Sequence, residues 1–437
     1  MTNSPKRAEE PTVPSQQDLP ADTAGTAVAR EASGRNTAVL VGFTALTNLA
    51  DGVMKIALPL VATSLTSSPA LISGVMLTLS LPWLLTALHV GVLVDRYDRR
   101  KLVWAANGIQ IVVVGVLVAL AASDALTLPA IYVCGAVLGV AEVLAMTSAA
   151  ALVPDVVAAS GRERVNSWVA GAETVCQEFA GPFIGGLLVG VGASFALGAT
   201  FVGYTLTAVI LVFLVGRFRV AVAPDEVTPP VHAQISEGLR FLWQQHLLRV
   251  LALAVAVLGS CWGAWYAVMP LYATGPMGLS AADYGLLVGA LGVGGILGTV
   301  VVGPFNRLFG RRWAMVCTVV LTSVLVVAPA LTTQVWAVGG AAFLGGMGGT
   351  LWTINVRTVM QTLVPMQMMG RFGAVFRLFA FGAIPVGAGL SGLLAEWFSA
   401  PTALAVFAIG SLVVFVPLVR VFTPEAEADI VHRLQQP

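Results

Sequence analysis

Gly91-Val-Leu-Val-Asp95-Arg96-Tyr-Asp98-Arg99-Arg100-Lys101 is a short polar insert between two long apolar runs, 70–94 and 102–123. Each run is long enough to cross a hydrocarbon layer of about 30 Å as a helix. The four cations and two acids between them cannot sit in that layer, so the insert reads as a tight turn joining two membrane spans. The same alternation continues outward in both directions. Apolar runs recur at 37–62, 70–94, 102–123, 128–153, 165–191 and 195–216, then at 248–273, 282–306, 312–333, 335–361, 371–395 and 401–421. The fold class expected is an all-α integral membrane protein with twelve transmembrane helices in two pseudo-symmetric six-helix bundles, 37–216 and 248–421.

Composition agrees. Of 437 residues, 57% are hydrophobic and only 10% are charged, against roughly 25% charged in an ordinary soluble domain. A mean hydropathy of +0.87 makes the bilayer the solvent. Net charge is +1, so no basic surface argues for nucleic acid. The four cysteines fall within apolar segments and form no C-x-x-C pair. Residues 1–36 have no apolar run and read as a disordered cytoplasmic tail. Residues 217–247 are the one long polar stretch between spans; its second part, Ser236–His246, has the character of a helix lying at the membrane surface. Residues 422–437 form a second tail.

Positive charge sets the expected orientation. Of 23 Lys and Arg, only Lys55, Arg357 and Arg377 lie more than two residues inside a span. The others fall in the tails, the central stretch and its edges, or the alternate short turns. Loops on the opposite side, such as 63–69 and 123–127, carry none. The positive-inside rule then makes the charged side cytoplasmic, with both termini inside a multi-pass cell-membrane protein.

The halves also echo each other. Arg96 and Arg307 are 211 positions apart, and so are Pro154 and Pro365 in two Leu-Val-Pro steps. Gly91 and Gly303 miss that register by one. Duplication of a six-span unit accounts for both offsets, and paired-repeat transporters hold substrate between their halves near the bilayer midplane.

Gly91, Asp95, Arg96, Arg99, Arg100 and Lys101 stand in a pattern that resembles motif A of the major facilitator superfamily. Gly181-Pro182-Phe-Ile-Gly185-Gly186 resembles its motif C, associated with antiporters. Ala57-Leu58-Pro59-Leu60, Leu152-Val-Pro-Asp155 and Glu237-Gly238-Leu239-Arg240 are similar to the branch containing macrolide and siderophore exporters. The resemblance implies proton-coupled efflux of a small amphiphilic molecule by alternating access. Motif A is then expected to gate the cytoplasmic side through charge-assisted contacts, and the motif C glycines to allow close helix packing. An importer on the same scaffold and a non-transporting receptor are the alternatives. No H-E-x-x-H, G-x-S-x-G or Walker A sequence is present, so neither enzyme chemistry nor a cofactor is expected, and the scattered histidines offer no metal set. The expected partners are the substrate, protons and lipid, and the expected state is a monomer.

A charge at membrane depth costs about 2.5–3.5 kcal/mol on insertion scales, so each one is a candidate. Thr44, Asn48, Asp51 and Lys55 follow spacings of four, three and four, making a polar stripe on span one that is expected to face the cavity. Lys55 is expected to pair with Asp51, leaving Asp51 either a coupling group or half of a structural pair. Glu142 has no cation on its own helix and is a second proton-carrying candidate. In span five, Glu173 and Gln177 share a face. Glu178, five residues on, is expected to point about 140° away from Glu173. Arg357 and Arg377 read as snorkelling or as functional. Trp262 and Trp265 read as stacking surfaces or as core, and Tyr272 as part of the outer aromatic belt.

Overall fold

The computed structural model describes residues 23–157, 161–215, 231–365 and 368–435, and all regular structure among them is helical. The first bundle contains α1 (Thr23–Ala62), α2 (Pro69–Arg96), α3 (Arg99–Ala122) and α4 (Leu128–Val156). Its fifth rod runs through α5 (Arg162–Ala172), a π-helical segment (Glu173–Ala180) and α6 (Gly181–Val191), and α7 (Ala193–Val212) completes it. A surface helix, α8 (Val231–Gln244), leads into the second bundle: α9 (His246–Thr274), α10 (Ala281–Leu331), α11 (Val335–Leu363), α12 (Met369–Trp397), α13 (Ala400–Leu412) and α14 (Phe415–Val421). A final helix, α15 (Pro424–Gln435), follows.

Among the described residues, eleven helices are long and apolar enough to cross a membrane. One of them, α10, contains 51 residues and turns back at Gly310, whose φ of 85° ends one span and starts the next. That left-handed conformation is open to glycine at little cost, and counting the two arms separately gives twelve spans. Helix is the only local solution for such segments, because hydrocarbon offers no partner for backbone N–H and C=O groups. Polar caps mark the turns. Ser68 caps α2, Asp98 caps α3 through Arg100 N–H, and Ser280 with Asp283 forms a capping box on α10.

Large aliphatic residues such as Val112, Val133 and Ile409 are exposed on the outer faces, where lipid covers them. The bundles meet most closely at the arginine-poor end. There, Gly186 of α6 packs backbone to backbone on Gly285 of α10, and a Cβ on Gly190 would lie 2.7 Å from Cβ of Ala282. Ser68 Oγ donates to Glu396 at 2.7 Å, and Ser73 Oγ donates to the Ala267 carbonyl at 3.3 Å. At the arginine-rich end, a methyl group added at Gly91, Gly303 or Gly373 would meet nothing within 4 Å, so no comparable approach occurs at these glycines.

The N-terminal segment departs from expectation, while the central stretch carries the helix expected there. Helix α1 starts at Thr23, inside the tail expected to be disordered to residue 36. Its Ala- and Glu-containing sequence supports helix; residues 1–22 lie outside the described residues. Within 217–247, residues 217–230 also lie outside them, while α8 packs Leu242 into the core and pairs Glu237 with Arg371 at 2.5 Å. The C-terminal tail is a docked helix. Glu427 accepts from the backbone N–H groups of Arg311 and Arg312, and Ile430 is buried. The equivalent corner of the first bundle is capped from within its own turn by Asp98; in the second, α15 supplies the acid from outside the repeat.

Candidate functional site

A cavity of about 70 Å³ lies between the bundles, lined by Asp51 and Lys55 of α1, Ser80 and Trp83 of α2, Glu142 of α4, Gln177 and Glu178 of the π segment, and Phe381 of α12, among others. It is far below the roughly 300–1,000 Å³ of a drug-sized pocket. It would therefore have to widen to hold an organic substrate. Trp83 and Phe381 stack across it at 4.8 Å between ring centroids, joining the two bundles by an aromatic pair.

The expected Lys55–Asp51 pair does not form. Lys55 Nζ instead donates to both carboxylate oxygens of Glu178, at 3.1 and 3.2 Å, and lies 4.9 Å from the centroid of the Tyr266 ring on α9. Asp51 Oδ1 accepts from Tyr204 Oη at 2.6 Å and from Gln110 Nε2 at 3.1 Å, while its other oxygen is buried without a partner. The physical reason is that α3 and α7 bring neutral donors to Asp51, while the longer lysine side chain extends one helical turn further along the cavity wall. The polar stripe consequently divides. Asp51 and Lys55 line the central cavity, whereas Thr44 and Asn48 are buried in a tight crevice with Ala145, Ala149 and Glu173.

Glu142 is partnered as well: Gln177 Nε2 donates to it at 2.5 Å. This contact depends on the form of span five. Residues Glu173–Ala180 are π-helical, closing with Gly181 N–H on the Cys176 carbonyl. Such a turn bonds i to i+5, so residues five apart fall about one turn apart rather than on opposed faces. Glu173 and Glu178 therefore do not diverge by the α-helical angle expected from sequence. They still serve different places: Glu178 lines the central cavity and Glu173 the crevice beside it. Glu173 is also within electrostatic reach of Arg377 and Arg357 of the second bundle. Both arginines are exposed.

The two tryptophans of α9 part company. Trp265 is fully buried, with its ring 5.4 Å from that of Tyr266, while Trp262 is only partly buried. Tyr272 also belongs to the core instead of an outer belt, at 3% exposure. The motif C glycines serve two interfaces. A Cβ on Gly181 would lie 2.7 Å from Gly52 Cα, and one on Gly185 2.8 Å from the Val53 carbonyl, both within the first bundle. Gly186 faces the second bundle, and Pro182 is buried beside them. In the motif A turn, Arg99 donates to Asp155 at 2.6 Å and to the Ala151 carbonyl at 2.9 Å, tying α3 to the end of α4 inside one bundle. Arg96 is exposed, Arg100 donates its backbone N–H to Asp98, and the Asp95 side chain lies outside the described residues. Tyr204 and Gln110 are site residues that the sequence pattern does not single out; the one available signal is a tyrosine deep in an apolar span, needing a partner for its hydroxyl.

Comparison with known proteins follows the same lines. A family model described as "Transmembrane secretion effector" matches residues 37–437. The multidrug efflux pump Tap of Mycolicibacterium fortuitum is 28% identical, covering 83% of this chain and 90% of its own. The enterobactin exporter EntS of Salmonella choleraesuis is also 28% identical, covering 83% and 86%. A solved structure of a mutant nucleoside transporter NupG superposes with a TM-score of 0.71 at 11% identity, over 90% of this chain and all of that one; at that identity the likeness is one of fold.

Proposed function

Because the chain belongs to the transmembrane secretion effector family of the major facilitator superfamily, we propose that it exports a small amphiphilic organic molecule by alternating access, driven by proton entry. It is a multi-pass membrane transporter and not an enzyme, and the efflux pumps among its relatives supply the direction. The observation that carries the coupling reading is the convergence of Asp51, Glu142 and Glu178, with the single cation Lys55, on one cavity between the bundles. Three acids against one lysine leave a surplus of negative charge that protons or a basic substrate can neutralise. Ionised carboxylates are strongly disfavoured at such depth without a partner.

In this reading the arginine-rich end is cytoplasmic, as are both termini, and the protein acts as a monomer. With that orientation, the closed glycine contacts at the other end shut the outer side. Rocking the bundles the other way opens Gly186 from Gly285 and brings the arginine-rich ends together. The Arg99–Asp155 pair supports this by keeping the α3–α4 corner rigid as the first bundle moves.

The test is transport in proteoliposomes with an imposed pH gradient, using a panel of lipophilic amines, macrolides and catecholate chelators. Substrate moving against the proton flow is expected. Flux that ignores the pH gradient would overturn the coupling, and co-directional flux would make the protein an importer.

A further inference from the structure

Two guanidinium groups of the second bundle lie in membrane-spanning segments without a described partner. Arg357 on α11 and Arg377 on α12 are exposed, and neither joins an ion pair among the described residues. Glu173, in the π segment of the first bundle, lies within electrostatic reach of both. One carboxylate opposite two guanidiniums leaves one positive charge over. Deeper in the cleft the sign reverses, since Asp51, Glu142 and Glu178 outnumber Lys55. The path between the bundles is thus polarised, positive at Arg357 and Arg377 and negative at the cavity floor. Arg377 is one helical turn from Phe381, whose ring stacks on Trp83, so an aromatic surface adjoins Arg377.

We propose that Arg357 and Arg377 form a receptor for an oxyanion on the transported molecule, that Glu173 competes for the same guanidiniums, and that preferred substrates are aromatic zwitterions. Their basic group would point to the cavity acids and their anionic group to the arginines. The planar guanidinium fork matches a carboxylate in two parallel hydrogen bonds, and such charge-assisted bonds are the stronger kind. The proposal rests on the transporter reading, but it concerns binding and needs no gradient.

The test is equilibrium binding of norfloxacin, which carries a carboxylate and a basic amine on an aromatic frame, and of its methyl ester, to the full chain in nanodiscs. The acid should bind about tenfold tighter than the ester, the ratio expected for charge-assisted hydrogen bonds. Joint Arg357→Gln and Arg377→Gln replacement should bring the two probes to within about twofold. The corresponding Lys variants should keep part of the preference. Glu173→Gln should tighten the acid several-fold and leave the ester unchanged, an effect opposite in sign to any loss of folding. Equal binding of acid and ester to the wild type, or a preference that survives the double Gln replacement, would overturn the receptor. Should the Gln pair not yield folded protein, Glu173→Gln decides alone: unchanged affinity for the acid overturns it. A wild-type preference for the acid, abolished by the Gln pair but without gradient-driven flux, would uphold the receptor while sinking the coupling reading.

Discussion

The seam between the bundles at the arginine-poor end makes a quantitative prediction through Gly186. Its backbone rests on Gly285, and a Cβ built there would lie 2.7 Å from the Gly285 nitrogen. Ordinary non-bonded separations are about 3.5–4.0 Å and Gly285 Cα lies nearer than its nitrogen, so even a methyl group forces the two helices apart by more than about 1 Å, and a valine further still. Overpacking of this kind costs about 1–3 kcal/mol. The cost falls on the conformation closed at this end and is relieved when the seam opens, so the equilibrium should shift by about 5–150-fold. Spin labels at Thr66 and Phe398, in a background without the native cysteines, report the distance across the seam by double electron–electron resonance. Gly186→Val should move the population toward the longer distance, while Gly198→Ala, where nothing lies within 4 Å, should leave it unchanged. An identical distribution for Gly186→Val and wild type would refute the claim that this contact closes the molecule.

Lys55→Met should destabilise the protein more than the Lys55→Met/Glu178→Gln pair, because removing one partner strands the other. The Glu178 side chain is 40% exposed, so the coupling should be about 1 kcal/mol, well below that of a buried pair; thermal melts of the four proteins check the cycle. Glu427→Ala should cost about 0.5–2 kcal/mol, the range for a lost helix cap, and lower the melting temperature. Arg433→Ala, which removes only an exposed pair with Asp429 within α15, should lower it far less.

Apolar run length is a one-dimensional quantity, which is why the spans are legible in the sequence to within a few residues at most ends. The 211-residue offset likewise reveals the two-bundle layout. Partners across space are less legible. Sequence spacing favours Lys55 with Asp51, four residues away; the fold pairs it with Glu178, 123 residues away. The π-helical segment carries no mark in composition, since it differs from α-helix only in backbone hydrogen-bond register, yet it sets where Glu173, Gln177 and Glu178 project. Tyr272 suggests an interface belt by its place near a span end, but the neighbouring spans wrap it into the core. The docking of α15 leaves no trace in the sequence, because its acid serves a turn more than a hundred residues earlier.

The central claim is that protons and substrate compete for the acids between the bundles. Purified protein in weakly buffered solution with a pH-indicator dye tests it directly. Adding a transported substrate should release protons from the wild type and release none from the Asp51→Asn/Glu142→Gln/Glu178→Gln variant. Substrate binding to the wild type without proton release, or equal release from the variant, would contradict the account.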